Sequence, residues 1–350
     1  MNENRTILVG MSGGLDSTYT ALAYRENGYR VEGAVLRMSE ETDISAAELA
    51  AAQVGIPLHV IDAQEAFEKY VKSYFAEEYA HGRTPNPCVM CNRYVKIAGL
   101  CDFAEKNGIA RVSTGHYARI RKDRETGRYY AQAADDRKKD QSYVLWQLTQ
   151  KQLSMLETPL ADRDKSGIRE EARRRGLSAA ESKESQDICF LPDGNYVGFV
   201  EARCGTFPEG DFVDETGKTV GRHAGIIRYT VGQRKGLGIA LGHPVFVTKI
   251  NAETNTVHLA PAGREYMDGV TVRGIVCQKL PLEKLVPGLR TAVKIRYAAP
   301  PADAVVMEIT GDTVTVRFDI PQRAVTPGQC AVFYDSDTAR DVMFGGWIVL

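Results

Sequence analysis

The stretch from residue 6 to residue 28 limits the fold more than any other part of the chain. Residues 6–9 (TILV) are apolar and largely β-branched, residues 10–17 read GMSGGLDS, and TYTALAYREN then runs with helical spacing to a stop at Gly28. Strand, glycine loop and helix in immediate succession leave backbone amides and a positive helix end pointing at one spot, which suits a phosphate. The pattern repeats. Residues 30–36 read as a strand, 45–54 as a helix closing at Gly55, and 58–61 as a strand. Strands alternating with helices predict a parallel sheet with helices on both faces, an α/β class.

Further along, residues 67–79 read as a helix. HGRTPNPCVMCN then places two prolines in a loop ahead of a helix running from Arg93 toward Lys106. Residues 111–114 form another strand feeding the glycine of GHYARI, and residues 141 to 175 read as helical, with Gly176 as the stop. After about Gly194 the texture changes to short β-branched runs cut by Gly and Pro, with hairpin signals at residues 215–217 and 311–312. The expected organisation is a phosphate-loop domain over 1–195, a small β-rich central domain over 196–265 and a C-terminal β-barrel over 266–350. A chain of 350 residues is long enough for that many domains at roughly 100–200 residues each.

Lys and Arg number 44 against 45 Asp and Glu, so contact with a polyanion must come from a local basic face rather than from net charge. Arg137-Lys138-Lys139 and Gln233-Arg234-Lys235 supply such charge, each otherwise an ordinary solvated surface. No apolar stretch approaches the roughly 18–20 residues of a membrane span, and the N-terminus lacks a signal-peptide layout, so a cytoplasmic location is expected.

The loop itself is not a Walker A motif, because no Gly-Lys-Ser/Thr closes it. Ser12 and Ser17 offer hydroxyls suited to a pyrophosphate, and Asp16 is a candidate magnesium ligand; the bland alternative is a serine-capped turn. The seven cysteines are too sparse for a disulfide scaffold. Cys88-Val-Met-Cys91, placed just before a helix, has the surroundings that lower a thiol's pKa from about 8.5, which points to reactivity at Cys91. Cys189, in SQDICFLP, follows a polar run and is expected to be exposed. Structural zinc lacks a second ligand pair, whereas Cys88, Cys91 and Cys189 would leave one iron of a [4Fe-4S] cluster open. Cys101, Cys204, Cys277 and Cys330 fall singly and read as buried, inert thiols. His116 reads as a satisfied loop histidine.

The SGGxDS string resembles the PP-loop of ATP pyrophosphatases, which split ATP between the α and β phosphates. Together with GRTPNPCVMCN, STGHYARI, KKDQSYVLWQL, SQDICFLP, YTVGQRKGLG, VKIRYAAPPA and FDIPQRAVTPGQCAVFYD, in order over nearly the whole chain, it resembles the tRNA-specific 2-thiouridylase (MnmA) family. That resemblance implies ATP-dependent adenylation of the C2 oxygen of uridine 34 in tRNA, followed by sulfur entry at C2. It implies ATP contacts at Gly10, Met11, Ser12, Gly13, Gly14, Leu15, Asp16, Ser17, Leu36 and Gly115. Contacts with the target base fall at Asn86, Pro87 and Cys88, and further tRNA contacts at Lys139, Asp140, Gln141, Arg296 and Tyr297. Cys189 matches the persulfide carrier and Cys91 the partner thiol, the two ending as a disulfide. The implied partners are a tRNA with uridine 34 and a sulfur donor, be it a sulfur-relay protein, a cysteine desulfurase or free sulfide.

Two departures from the family pattern stand out. Cys88 replaces an Asp found in many members, and members with cysteine here resemble a subgroup for which an iron–sulfur cluster has been proposed, so persulfide and cluster routes both stay open. The segment after Leu36 is shorter than the family's usual insertion. Two competing readings remain: another PP-loop ligase that adenylates a carboxylate, as in argininosuccinate or GMP synthetases, and a non-catalytic RNA-binding paralogue.

Overall fold

The computed structural model describes residues 5–182 and 188–349. By its internal contacts the chain forms two units. The first comprises residues 1–71, 88–186 and 340–343; the second comprises residues 72–87, 187–339 and 344–350.

The first unit is built on a five-stranded parallel sheet. Its strands are β1 (Thr6–Gly10), β2 (Arg30–Arg37), β3 (Leu58–Asp62), β4 (Val112–Ser113) and, beyond the hairpin β5 (Ala118–Lys122) and β6 (Tyr129–Ala133), β7 (Leu156–Glu157). The order is β3-β2-β1-β4-β7. Val9 registers against Gly33 on one side and Ser113 on the other. The chain thus winds outward from β1 in one direction, returns, and continues in the other, which puts the switch in direction between β1 and β4. In open α/β sheets the crevice beyond the carboxyl ends of strands at such a switch is where ligands sit.

Helices α1 (Leu15–Glu26) and α2 (Ser45–Val54) follow β1 and β2 as the periodicity predicts. Gly55 caps α2 in the left-handed conformation, φ 70°, that glycine adopts without a Cβ penalty. Ile7, Val9, Leu15, Tyr19, Val31, Val35 and Val54 bury one face of sheet and helices together.

Three stretches differ from the sequence reading. Residues 141–175 are not one helix: a 3₁₀ turn (Ser142–Leu145), a short helix (Gln150–Met155), the strand β7 and a second helix (Lys165–Arg174) follow in turn. The interruptions have local causes. Thr149 and Gln152 form a reciprocal capping box that starts one helix, and Asp164 caps the next by accepting from the Gly167 amide at 2.8 Å. The helix expected from Arg93 begins at Pro87, because a proline lacking an N–H fits a first helical position; it continues through a π-helical turn (Asn92–Lys96) to Lys106. The helix expected over 67–79 starts at Gln64 and carries a π-helical turn (Glu68–Ser73) before Tyr74–Ala80.

The second unit carries the β structure expected of the C-terminal half. A four-stranded sheet orders β8 (Gly210–Val213), β9 (Thr219–His223), β10 (Val245–Asn251) and β11 (Thr256–Pro261) as β10-β11-β8-β9. A closed barrel contains β12 (Tyr266–Cys277), β13 (Arg290–Lys294), β14 (Ala302–Thr310), β15 (Thr313–Arg323), β16 (Cys330–Tyr334) and β17 (Val342–Ile348). Both hairpin signals mark real turns, between β8 and β9 and between β14 and β15. Phe333 and Phe344 stack at 4.1 Å in the barrel. Phe75, Val200, Phe212 and Ile227 share the core of the smaller sheet with its flanking helices. Among the described residues no helix is long and apolar enough to cross a membrane.

Candidate active site

The loop after β1 folds around its own hydroxyls. The Ser12 amide donates to Ser17 Oγ at 3.1 Å, Ser17 Oγ donates to the Gly14 carbonyl at 3.1 Å, and the two serine hydroxyls lie 3.2 Å apart. Gly10 closes β1, and buried Met11 ties the loop to β2 through its amide and the Ala34 carbonyl at 2.7 Å. Gly14 stands at the N-cap of α1 without a side-chain cap, and its own amide donates to Ser12 Oγ at 3.4 Å. Two glycines are required by contact. Gly13 has φ 75°, and a Cβ there would lie 2.5 Å from the Ala46 carbonyl carbon; a Cβ on Gly115 would lie 2.8 Å from that of Asp16. The loop after β4 therefore abuts the first turn of α1. Leu36 lies half-buried near the end of β2.

Asp16 is held from two sides. Tyr117 Oη donates to Oδ1 at 2.8 Å and Lys165 Nζ meets Oδ2 at 3.1 Å, with that ammonium 5.6 Å from the centre of the Tyr117 ring. Neither Tyr117 nor Lys165 was singled out from sequence. They come from the loop before β5 and from the start of the helix Lys165–Arg174, and no local pattern links them to residue 16. Nearby, His116 bonds Thr114 Oγ1 at 2.8 Å, and burial, with Lys96 adding to it, pushes its pKa down to about 3, so the ring is neutral.

Cys88 is exposed and Cys91 buried, and both lie within the helix Pro87–Cys91 rather than in a loop preceding it. The start of this helix thus belongs to the turn of Cys88, and the expectation that placed Cys91 at that position is corrected: Cys91 sits one turn inside, at 5% exposure. Cys189, in the second unit, is exposed as expected. Of the four remaining thiols, Cys101 and Cys330 are buried and burial raises Cys101 to about 12, but Cys277 is half-buried and Cys204 exposed, which corrects the reading of these as buried. Among the described residues no group of three or more His, Cys, Asp or Glu is gathered as a metal site.

The residues expected to meet RNA fall into two kinds. Asp140 is buried, accepting from the amides of Ala134 and Ser142 at 3.2 and 3.0 Å and from Ser142 Oγ at 3.0 Å. Gln141 braces Tyr117, and Lys139 is half-buried. In the second unit Arg296 donates to the carbonyls of Val231 and Ala324 at 3.0 and 3.2 Å, tying two loops together, whereas Tyr297 is exposed with Lys294 Nζ 5.8 Å from its ring centre. Arg137, Lys138, Arg234 and Lys235 are exposed. The residues before Asn86 are pinned: Gln329 Nε2 donates to the carbonyls of Thr84 and Pro85, 3.0 Å each, and Asn86 Nδ2 lies 3.8 Å from Cys330 Sγ.

A doubly wound sheet with an uncapped glycine loop at its switch point, followed in sequence by a small β module and a barrel, defines a class of three-part nucleotide-loop proteins. Family models agree part by part. One described as a tRNA methyl transferase HUP domain matches residues 5–193, a tRNA methyl transferase PRC-barrel domain matches 198–261, and an aminomethyltransferase β-barrel domain matches 281–348. The full-length relatives carry a different name from the domain models. The chain is 41% identical over 361 residues to the tRNA-specific 2-thiouridylase MnmA of Acetivibrio thermocellus, covering 99% of each chain. It is 42% identical over 359 residues to that of Syntrophotalea carbinolica, again 99% of each, and 40% identical over 364 residues to that of Clostridium acetobutylicum, 99% of each. The chain belongs to the tRNA-specific 2-thiouridylase family.

Proposed function

We propose that this chain is an ATP-dependent tRNA sulfurtransferase that converts uridine 34 to 2-thiouridine, acting in the cytoplasm. The observation that carries the reading is the N-terminal end of α1, without a side-chain cap and framed by Gly13 and Ser17 at the switch point of the sheet, in a chain whose full-length relatives are named for thiouridine formation. Residues Gly10 to Ser17 cradle ATP, with Leu36 and Gly115 beside it. The C2 oxygen of the uracil attacks the α-phosphorus, the bond to the bridging oxygen breaks, and pyrophosphate leaves. Sulfur then adds at C2 and AMP departs, carrying the former C2 oxygen.

In the persulfide route the terminal sulfur of a Cys189 persulfide adds to C2. The Cys91 thiolate attacks the Cys189 sulfur, the original S–S bond breaks with its electron pair going to the departing sulfur, and a Cys91–Cys189 disulfide remains. A dithiol reductant resets it, and a sulfur-relay protein or a cysteine desulfurase, bringing sulfane sulfur as its own persulfide, recharges Cys189 and leaves as the thiol; free sulfide would instead attack the Cys91–Cys189 disulfide at Cys189, giving the Cys189 persulfide and a Cys91 thiolate. Both cysteines must reach one base, so Cys91 has to leave its buried state during turnover. Asn86, Pro87 and Cys88 face the base in this reading, while Lys139, Tyr297 and the exposed arginines and lysines meet phosphates. Asp140, Gln141 and Arg296 act by shaping the surfaces that carry them.

Magnesium would enter with ATP, held by phosphate oxygens and a single carboxylate, Asp16, which agrees with that ion's habit of taking few protein ligands. An iron–sulfur cluster on Cys88, Cys91 and Cys189 finds less support. It would need all three thiolates as ligands, one fewer than such clusters normally have, and no step here passes through iron.

The test uses protein purified anaerobically, one half iron-reconstituted and one half metal-stripped, given ATP, magnesium, tRNA bearing uridine 34 and, as sulfur sources, both sulfide and a persulfide-charged cysteine desulfurase, with 2-thiouridine read by nucleoside mass spectrometry. Product in both halves supports this reading. Product in the iron-loaded half alone replaces the persulfide route with a cluster, and bound, unmodified tRNA in both favours a non-catalytic RNA binder. Turnover undiminished in Cys91→Ser would point to a carboxylate-adenylating ligase instead.

A further inference from the structure

The loop lacks a lysine of its own, yet adenylation expels a pyrophosphate whose several negative charges need a cation beyond magnesium. We propose that Lys165, held by Asp16, is that cation: it binds the β- and γ-phosphates of ATP and the leaving pyrophosphate, and Asp16 is its positioning residue. The inference rests on the ATP-dependent reading above and deepens it.

The placement is built rather than incidental. Asp164 caps the helix Lys165–Arg174, which fixes the backbone of Lys165 at its first position. The Lys165 side chain is only 17% exposed, so its stem is packed and its ammonium is confined to the mouth of the glycine loop. Asp16 is equally constrained, by Tyr117 on its other oxygen and by Gly115 against its backbone. An exposed surface pair contributes little to stability, but three chain segments converging on one carboxylate beside an uncapped helix end orient the charge toward an incoming anion. The split in roles follows from the chemistry. A lysine held by a carboxylate at 3.1 Å beside the Tyr117 ring stays at the loop, and an ammonium with three N–H donors can serve Asp16 and an arriving phosphate together.

Pyrophosphate and AMP then separate the two halves of the nucleotide. Isothermal titration of the full-length protein with pyrophosphate, AMP and ATP, each with magnesium and without tRNA, is expected to show Lys165→Ala weakening pyrophosphate and ATP by tenfold or more while AMP changes less than twofold. Lys165→Arg should recover most of the pyrophosphate affinity. Asp16→Asn, which loosens the lysine, should resemble Lys165→Ala at reduced size when pyrophosphate is titrated without magnesium, so that the loss of the metal's carboxylate does not enter. In turnover, Lys165→Ala should lower kcat for tRNA-dependent pyrophosphate release at least a hundredfold, with the KM for tRNA unchanged. Pyrophosphate affinity unaltered in a folded Lys165→Ala protein overturns the proposal, as does an equal loss for AMP and pyrophosphate, which marks a merely structural ion pair. Lysine-dependent pyrophosphate binding in a protein that never thiolates tRNA would uphold this inference while the proposed function fails.

Discussion

Gln141 and Tyr117 grip each other twice: the Gln141 amide donates to the Tyr117 carbonyl at 2.7 Å, and the Tyr117 amide donates to Gln141 Oε1 at 2.9 Å. Tyr117 in turn donates to Asp16, so Gln141, expected to touch RNA, also braces a residue of the glycine loop. Gln141→Ala leaves the buried Tyr117 amide without its acceptor, at a cost of about 1–3 kcal/mol. The expected result in urea unfolding is a loss of that size, with tRNA affinity changed less than threefold. Affinity lost at unchanged stability would instead put the side chain on the RNA.

Gly13→Ala tests the loop by contact. The added Cβ would sit 2.5 Å from the Ala46 carbonyl carbon at a backbone φ of 75°, so both sterics and conformation oppose it. Either the loop or the start of α2 must shift. ATP binding should fall at least tenfold by calorimetry, and the melting temperature should drop by several degrees, for a loss of about 1–3 kcal/mol. Wild-type ATP affinity in this variant would remove the loop from the nucleotide site.

His116 gives a pH prediction whose sign is fixed by burial. Its folded pKa of about 3 lies below the roughly 6.5 of an unfolded histidine, so on acidification the unfolded chain takes the proton first. The stability associated with the neutral ring is present above pH ~6.5 and is lost as pH falls toward 3. Between pH 7 and pH 5 the loss amounts to about 2 kcal/mol. His223 and His258 are also lowered by burial, so the comparison must be with a variant rather than with pH alone. The difference in unfolding free energy between wild type and His116→Gln should move by that amount in favour of the variant at pH 5. A difference that stays constant with pH means the ring is not held neutral.

What could be seen in the sequence followed locality. The elements from β1 to β3, with their helices, were legible because each is a short run with its own period and its own glycine stop, as at Gly28 and Gly55. The stretch from Gln141 to Arg175 was not, since a 3₁₀ turn of four residues, a helix of six and a strand of two are each too short to show a period of their own. Their boundaries depend on caps at Thr149 and Asp164. The glycine loop was visible for the same local reason. Lys165 and Tyr117 were hidden because they reach Asp16 only through the tertiary fold, across 149 and 101 positions of chain. Cys204 was misjudged because it occupies the last turn of Tyr196–Cys204, where the helix burial ends.

Thiol exposure supplies a last test that needs neither ATP nor tRNA. Cys88, Cys189 and Cys204 are exposed, whereas Cys91, Cys101 and Cys330 are buried. Alkylation requires a thiolate that the reagent can reach, so burial slows it twice over, and Cys101 with its pKa pushed up to about 12 is slowed most. Brief iodoacetamide treatment of the reduced protein, read by peptide mass spectrometry, should label Cys88 and Cys189 first, Cys204 after them because partial burial and Glu77 push its thiol up, and leave Cys91 and Cys101 at least tenfold behind the first two. Under the persulfide route Cys91 must become reachable during the reaction, so ATP with tRNA should accelerate Cys91 selectively while Cys101 stays protected. Cys91 labelled as fast as Cys189 in the free protein would contradict the buried position, and Cys91 protected under every condition would remove it from sulfur transfer.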